Sequence, residues 1–119
     1  EARISRLHNE LHEDQLLGDI HRAISLAVLE CHYIKHQCFI SPDFILNNIH
    51  RINHIPGTLV HGRYDCVCKI QGAFALSELW QNSQLTIVPE SGHSAGEPKI
   101  TAALCLATNA MAIFLEEQR

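Results

Sequence analysis

Two side chains with the chemistry of an acid–base pair lie in the second half of the sequence. Asp65 follows the short apolar stretch at residues 58–61, and His93, 28 residues after Asp65, follows a second such stretch at residues 85–88. A carboxylate that accepts a hydrogen bond from one imidazole nitrogen fixes the tautomer of the ring and leaves the other nitrogen free to act as a base. The spacing therefore favours two members of a Ser-His-Asp triad. The alternative is that Asp65 caps the next helix and His93 is an ordinary turn residue.

The segments around this pair predict an α/β arrangement. Residues 58–61 and 85–88 are short, apolar and partly β-branched, which is typical of buried strands. Each is followed by a helical periodicity, over residues 70–80 and from residue 98 to about 116. Strands that alternate with helices pair in parallel, and functional side chains then follow the carboxyl ends of the strands. Since two strands do not form a stable open sheet alone, this order indicates the end of a larger sheet.

The first half of the chain predicts helices. Apolar residues recur every three or four positions from about His12 to Lys35, which predicts a first helix. Ser41 as N-cap and Pro42 at the first helical position predict a second, short helix that runs from Asp43 to about Arg51.

Composition excludes several classes of protein. The 119 residues are enough for one domain or part of one, and 46% apolar with 18% charged residues is a globular composition. The net charge of −4 argues against nucleic acid and anionic membranes as partners. No apolar stretch approaches the roughly 18 residues of a membrane helix, so we expect no membrane partner. The five irregularly spaced cysteines and the lack of a signal peptide favour reduced thiols and a cytoplasmic location.

No nucleophile stands where a triad of this order needs it. In α/β-hydrolases the serine precedes the acid and lies on a Gly-x-Ser-x-Gly elbow, and no such motif precedes Asp65. Ser94 stands in one match, at residues 92–96, but it does not directly follow a predicted strand, and neither Asp nor His comes after it. We therefore exclude Ser94 as the nucleophile.

Three segments resemble the prolyl aminopeptidases (proline iminopeptidases), serine peptidases of the α/β-hydrolase fold. Residues 62–65, Gly-Arg-Tyr-Asp, are similar to the acid segment of the family, and residues 92–95, Gly-His-Ser-Ala, to its histidine loop. Residues 30–33, Glu-Cys-His-Tyr, resemble the Glu-x-His-Tyr motif of its cap domain. The resemblance covers nearly the whole chain. It implies a helical cap portion at residues 1–52 and, at residues 53–119, the C-terminal part of an α/β-hydrolase core with its last parallel strands and helices.

The resemblance also implies roles for single residues. Asp65 would orient His93, which would act as general base and then as general acid. Glu30, together with Glu1 as a second cap glutamate, would bind the free α-amino group of a peptide that begins with proline. No cofactor and no metal is implied. Because the elbow serine and the oxyanion loop are missing, we expect a C-terminal fragment that is inactive alone.

Two other functions stay open. A metal-binding module is one, because histidines four apart share a helix face and cysteines lie close by in the sequence: His32, His36, Cys31, Cys38, Cys66 and Cys68. A non-catalytic interaction domain derived from a hydrolase tail is the other, since the unpaired edges of a partial sheet can bind another chain by strand addition.

Overall fold

The structure is a computed structural model that describes residues 20–119. The described chain divides into two compact units, residues 20–47 and residues 48–119. The proposed boundary between residues 52 and 53 stays a prediction.

The first unit is helical. Helix α1 spans Ile20–Lys35, a 3-10 turn follows at Gln37–Phe39, and helix α2 spans Phe44–Asn48. The predicted first helix is thus confirmed over its described part, and its residues before position 20 lie outside the described residues.

The predicted start of the second helix is wrong. The backbone N–H of Phe44 donates to the Ser41 carbonyl oxygen (3.1 Å), which closes a turn around Pro42 and Asp43. Asp43 has a φ of 56°, in the left-handed region. A proline in the second position of a turn and a positive φ in the third is typical of a type II turn, and aspartate tolerates that conformation better than most residues. The Ser-Pro pair therefore makes a turn, and the helix begins only at Phe44.

The turn after α1 is strained and is covered by rings. Gln37, Cys38 and Phe39 have φ values of 52°, 54° and 59°, each in the left-handed region. This conformation costs about 1–2 kcal/mol per non-glycine residue. The Phe39 ring stacks on His36 with ring centroids 5.2 Å apart, and it meets Tyr33 edge-on at 5.5 Å. These ring contacts offset part of the backbone strain.

The second unit contains the predicted order of strand, helix, strand and helix. After a 3-10 turn at Ile49–Arg51 come strand β1 (Gly57–Gly62), helix α3 (Ile70–Leu79), strand β2 (Ser83–Val88) and helix α4 (Pro98–Glu117). The strands pair in parallel, from Gly57 opposite Ser83 to Gly62 opposite Val88, and both helices contact both strands. The α/β prediction is thus confirmed as a mixed helix–strand arrangement with a two-stranded parallel sheet.

Trp80 ties the end of α3 to the start of β1. Its indole N–H donates to the Ile55 carbonyl oxygen (2.9 Å). A Cβ at Gly57 would overlap the Trp80 ring, so a glycine is needed where the ring lies against the strand.

The strands are less buried than the sequence predicts. Residues 57–61 of β1 are half-buried, and exposed and half-buried residues alternate over most of β2. The buried apolar side chains of the described residues are Val88 at the end of β2, Ile100 in α4, and Ile49. The reason is that both strands of a two-stranded sheet are edge strands, so each leaves one side without a neighbour.

Helix α4 contradicts the expectation that no segment has the length and composition of a membrane helix. Among the described residues, Pro98–Glu117 is a helix long and apolar enough to cross a membrane, judged by length and composition only. Its many small residues raise the average hydropathy although threonine and asparagine interrupt the sequence. One such helix is weak evidence for a membrane protein, because helices that pack on a sheet have similar compositions, and α4 contacts β1 and β2.

Candidate active site

The two loops that follow the strands lie side by side. We call residues 63–69 the acid loop and residues 89–97 the histidine loop. Because the strands are parallel, Gly62 at the end of β1 lies opposite Val88 at the end of β2, and both loops leave the sheet at the same edge. Asp65 Oδ2 lies 2.9 Å from His93 Nδ1, so the structure brings the two predicted residues together.

The Asp65 carboxylate is organised by its own loop. Oδ1 accepts hydrogen bonds from the backbone N–H of Val67 (2.9 Å) and of Cys68 (2.8 Å). Aspartate commonly stabilises a turn in this way, by binding backbone groups two or three residues ahead. With Oδ1 engaged, Oδ2 is directed at His93, and only 5% of the Asp65 side chain is exposed.

The same contacts set the pKa of Asp65. Burial by itself raises this pKa, but the hydrogen bonds that the carboxylate accepts from Cys68 and His93 lower it. The Val67 N–H and attraction to the His93 ring lower it further, and the net effect holds the pKa below its ordinary value of 3.8. Asp65 is therefore ionised at neutral pH and can serve only as an acceptor.

This acceptor determines which nitrogen of His93 carries the proton. Because Asp65 is ionised, Nδ1 of a neutral His93 ring is the donor in the 2.9 Å contact, and Nε2 holds the lone pair. The His93 side chain is 34% exposed. A partly exposed ring that is held by a carboxylate on one nitrogen can take a proton from a hydroxyl placed beside Nε2.

Backbone contacts join the acid loop to the end of β2 and to the histidine loop. The N–H of Arg63 donates to the Val88 carbonyl oxygen, and the N–H of Tyr64 donates to that of Ser91, each at 2.9 Å. A Cβ at Gly62 would overlap the carbonyl oxygens of Ser91 and Gly92. Glycine at position 62 is therefore what allows the histidine loop to approach the acid loop so closely.

A second imidazole faces the same carboxylate, and the sequence argument missed it. Nε2 of His61 lies 3.1 Å from the Cys68 carbonyl oxygen and 3.7 Å from Asp65 Oδ2, with 16% of its side chain exposed. Because a carbonyl oxygen only accepts, Nε2 donates to Cys68 and ties the acid loop to β1. The available signal was the position of His61, one residue before the carboxyl end of the strand that carries the acid.

Sequence comparisons identify relatives of this chain. No family model matches it. The chain is 44% identical over 115 residues to a proline iminopeptidase of Xanthomonas citri. The matched region covers 94% of this chain and 36% of the relative. It is 40% identical over 110 residues to a probable proline iminopeptidase of Leptolyngbya boryana (92% of this chain, 34% of the relative). A proline iminopeptidase of Arabidopsis thaliana is 37% identical over 106 residues (88% and 28%).

The chain is a relative of the proline iminopeptidases. The predicted resemblance is confirmed, and it places this chain among relatives named as peptidases. The chain spans about a third of the length of the curated relatives it matches.

The glutamates that the proline iminopeptidase resemblance implies for substrate binding lie outside this pair of loops. Glu30 is on α1 in the unit of residues 20–47 and is half-buried. Glu1 lies outside the described residues. Their roles stay predictions.

The loops also contain a group of metal-binding side chains. Ligand atoms of Asp65, Cys68 and His93 all lie within 4.8 Å of one another. Cys68 is one of the cysteines of the predicted metal module, but over residues 20–119 its other members form no such group: Cys31, His32, His36, Cys38 and Cys66. Both oxygens of Asp65 already accept hydrogen bonds, so the existing contacts match an acid–base pair better than metal binding.

A groove of about 490 Å³ lies at the other end of the sheet. It is lined by residues that start the strands, Gly57 and Ser83, and by Met111 and Phe114 of α4. Since Asp65 and His93 follow the carboxyl ends of the strands, this groove is not part of the candidate active site.

Proposed function

We propose that this chain supplies the acid and the base of a serine-type prolyl aminopeptidase with the α/β-hydrolase fold. The observation that carries the proposal is the 2.9 Å contact between Asp65 Oδ2 and His93 Nδ1, with Oδ1 held by backbone N–H groups. The parallel order of β1 and β2, and the names of the relatives, support the same conclusion.

His93 and Asp65 divide the work of proton transfer. Nε2 of His93 takes the proton of a serine hydroxyl as that oxygen attacks the carbonyl carbon of the proline residue, and it then gives the proton to the departing amine. Asp65 holds the ring in the required tautomer and stabilises the imidazolium that forms. We assign the serine to a part of the protein outside these 119 residues, because no elbow motif precedes Asp65. The chain by itself is then inactive.

The proposed substrate is a peptide that begins with proline. Its charged amino group needs a carboxylate, and Glu30 is half-buried on α1, where a hydrogen-bonded ion pair is stronger than in open water. Five exposed free thiols fit a reducing cytoplasm, which we propose as the location.

A hybrid enzyme tests the proposal. The chain replaces the segment that it matches in the Xanthomonas citri relative, and release of arylamine from proline arylamide is measured. We expect activity in the hybrid and none in the isolated chain. The His93→Gln hybrid should lose about 10⁴-fold or more in kcat/KM, as enzymes that lose a triad member do. Exposed His54 provides a matched control, since His54→Gln should retain activity. Full activity of the His93→Gln hybrid would refute the proposed role.

Metal binding is the second candidate, favoured by the proximity of Asp65, Cys68 and His93. A titration with Zn²⁺, followed by calorimetry, distinguishes the two. If the peptidase proposal is right, the chain should show no micromolar Zn²⁺ binding that depends on Cys68, so Cys68→Ser should leave the titration unchanged. Binding that depends on Cys68, with an inactive hybrid, would favour the metal site instead.

A further inference from the structure

One peptide bond in the histidine loop is held at both of its polar atoms. The bond joins Ser91 and Gly92, directly before His93. Its carbonyl oxygen, on Ser91, accepts the N–H of Tyr64 from the acid loop (2.9 Å). Its N–H, on Gly92, donates to Oε1 of Glu97 (3.0 Å). Both residues of this peptide are buried, and Ser91 is only 1% exposed.

Glu97 reaches this peptide because of where it stands. It is the N-cap residue of α4, yet its side chain makes no capping hydrogen bond to that helix. The following Pro98 disfavours a helical backbone at Glu97, whose φ of −70° and ψ of 134° are extended. The Glu97 N–H donates to the Ser94 carbonyl oxygen (3.0 Å), which closes the loop back on itself. The side chain is thereby directed at Gly92 instead of at the first turn of α4.

The burial of Glu97 gives this contact weight. Only 6% of Glu97 is exposed. A carboxylate is costly to bury unless hydrogen bonds replace the water that it loses, and bonds accepted by a charged group are stronger than neutral ones. The hydrogen bond from the Gly92 N–H replaces part of that lost water, so the buried carboxylate and the peptide stabilise each other.

We propose that Glu97 is a positioning residue that holds the Ser91–Gly92 peptide and thereby places His93 against Asp65. None of the contacts described above joins Glu97 to His93. Glu97 therefore acts on His93 through the backbone of the histidine loop. The relevance of this role to catalysis rests on the proposed function, but the placement of His93 can be measured without any enzymatic activity.

The test compares Glu97→Ala with Glu97→Gln in the 119-residue chain, by NMR. The reporter is the Nδ1–H proton of His93, which a hydrogen bond to Asp65 shifts downfield. Exchange of the Gly92 N–H reports on the contact itself. Glutamine keeps the acceptor oxygen, whereas alanine removes it. Exposed Glu78 on α3 provides the control Glu78→Ala, and the indole N–H of Trp80, which donates to Ile55 at the other end of β1, reports on the fold.

We expect Glu97→Ala to weaken the His93 Nδ1–H signal and to speed exchange of the Gly92 N–H about tenfold or more, with the Trp80 signal retained. Glu97→Gln should restore both, and Glu78→Ala should change neither. Unchanged His93 and Gly92 signals in Glu97→Ala would overturn the proposal. So would loss of the Trp80 signal together with the others, because Glu97 would then only stabilise the fold, and so would a failure of Glu97→Gln to restore them.

The two proposals fail in different ways. An inactive hybrid enzyme in which the His93 Nδ1–H signal responds to Glu97 as expected would refute the proposed function and leave the positioning role intact. Absence of that signal in the unchanged chain would show that the Asp65–His93 contact does not form, and this would overturn the positioning role directly.

Discussion

The acid loop and the histidine loop hold their functional side chains in different ways. Asp65 is fixed by backbone N–H groups two and three residues ahead of it, so its orientation is a local property of the loop. His93 is fixed by contacts from elsewhere: the Asp65 carboxylate, the Tyr64 N–H that holds the preceding segment, and Glu97 at the start of α4. The orientation of Asp65 should therefore depend mainly on its own loop, whereas that of His93 should respond to changes in several parts of the unit.

The largest expected effect comes from breaking the contact between the loops. Asp65→Asn in the hybrid enzyme should lower kcat/KM for proline arylamide by about 10⁴-fold, because a neutral amide cannot hold and stabilise the His93 imidazolium. Asp43→Asn, at an exposed turn in the other unit, is the control and should leave the rate unchanged. A loss of less than tenfold for Asp65→Asn would mean that the contact does not support catalysis.

The next largest effect concerns the approach of the two loops. Gly62→Ala should destabilise the chain by about 1–3 kcal/mol, because the added Cβ would overlap backbone carbonyl oxygens that cannot swing away. Gly72 in the first turn of α3 is a matched control: nothing lies within 4 Å of a Cβ added there, and Gly72→Ala should stabilise by up to about 0.5–1 kcal/mol. Urea unfolding followed by Trp80 fluorescence measures both. Equal and small effects at the two positions would show that the loops do not lie in contact.

A smaller effect is expected at His61, which ties the acid loop to β1. His61→Leu removes the donor to the Cys68 carbonyl oxygen and should cost about 1 kcal/mol. His61→Gln, which can still donate, should recover part of that loss. If the leucine and glutamine variants are equally stable in urea unfolding, the His61–Cys68 hydrogen bond contributes nothing to the stability of the loop.

The smallest effect is the pH dependence of stability from Asp65. Its pKa is lowered in the folded state, so the unfolded chain binds the proton more readily, and the contribution is present above about pH 4. It should be lost as the pH falls from about 4 through the lower pKa of the folded state. The difference in unfolding free energy between the unchanged chain and Asp65→Asn should shrink over that interval in urea titrations. A difference that is constant from pH 5 to pH 3 would contradict the lowered pKa.

Local sequence signals predicted most of the fold of residues 48–119. Strands β1 and β2 and helices α3 and α4 begin and end within a few residues of the predicted positions, because periodicity and proline are properties of neighbouring residues. The start of α2 was wrong for a related reason. Ser41 and Pro42 have the residue types of a helix start, but the same types also form turns. The positive φ of Asp43 shows that they form a turn here.

The candidate site was predictable only in part. Asp65 and His93 stood out because each follows a strand, and parallel strands bring such loops together. His61 and Glu97 did not stand out, since a histidine within a strand and a glutamate before a helix have common structural explanations. Only the distances of 3.1 Å to the Cys68 carbonyl oxygen and 3.0 Å to the Gly92 N–H distinguish them.

By itself, the sequence determined which elements form and in what order, and which acid and base follow the two strands. These depend on residue types and on spacing along the chain. Tertiary structure alone decided which oxygen of Asp65 meets His93, how closely Gly62 lets the loops approach, and that Glu97 turns back to Gly92 instead of capping its own helix. The physical reason is that a hydrogen bond depends on distances of a few tenths of an ångström between groups that the packing of strands, loops and helix brings together.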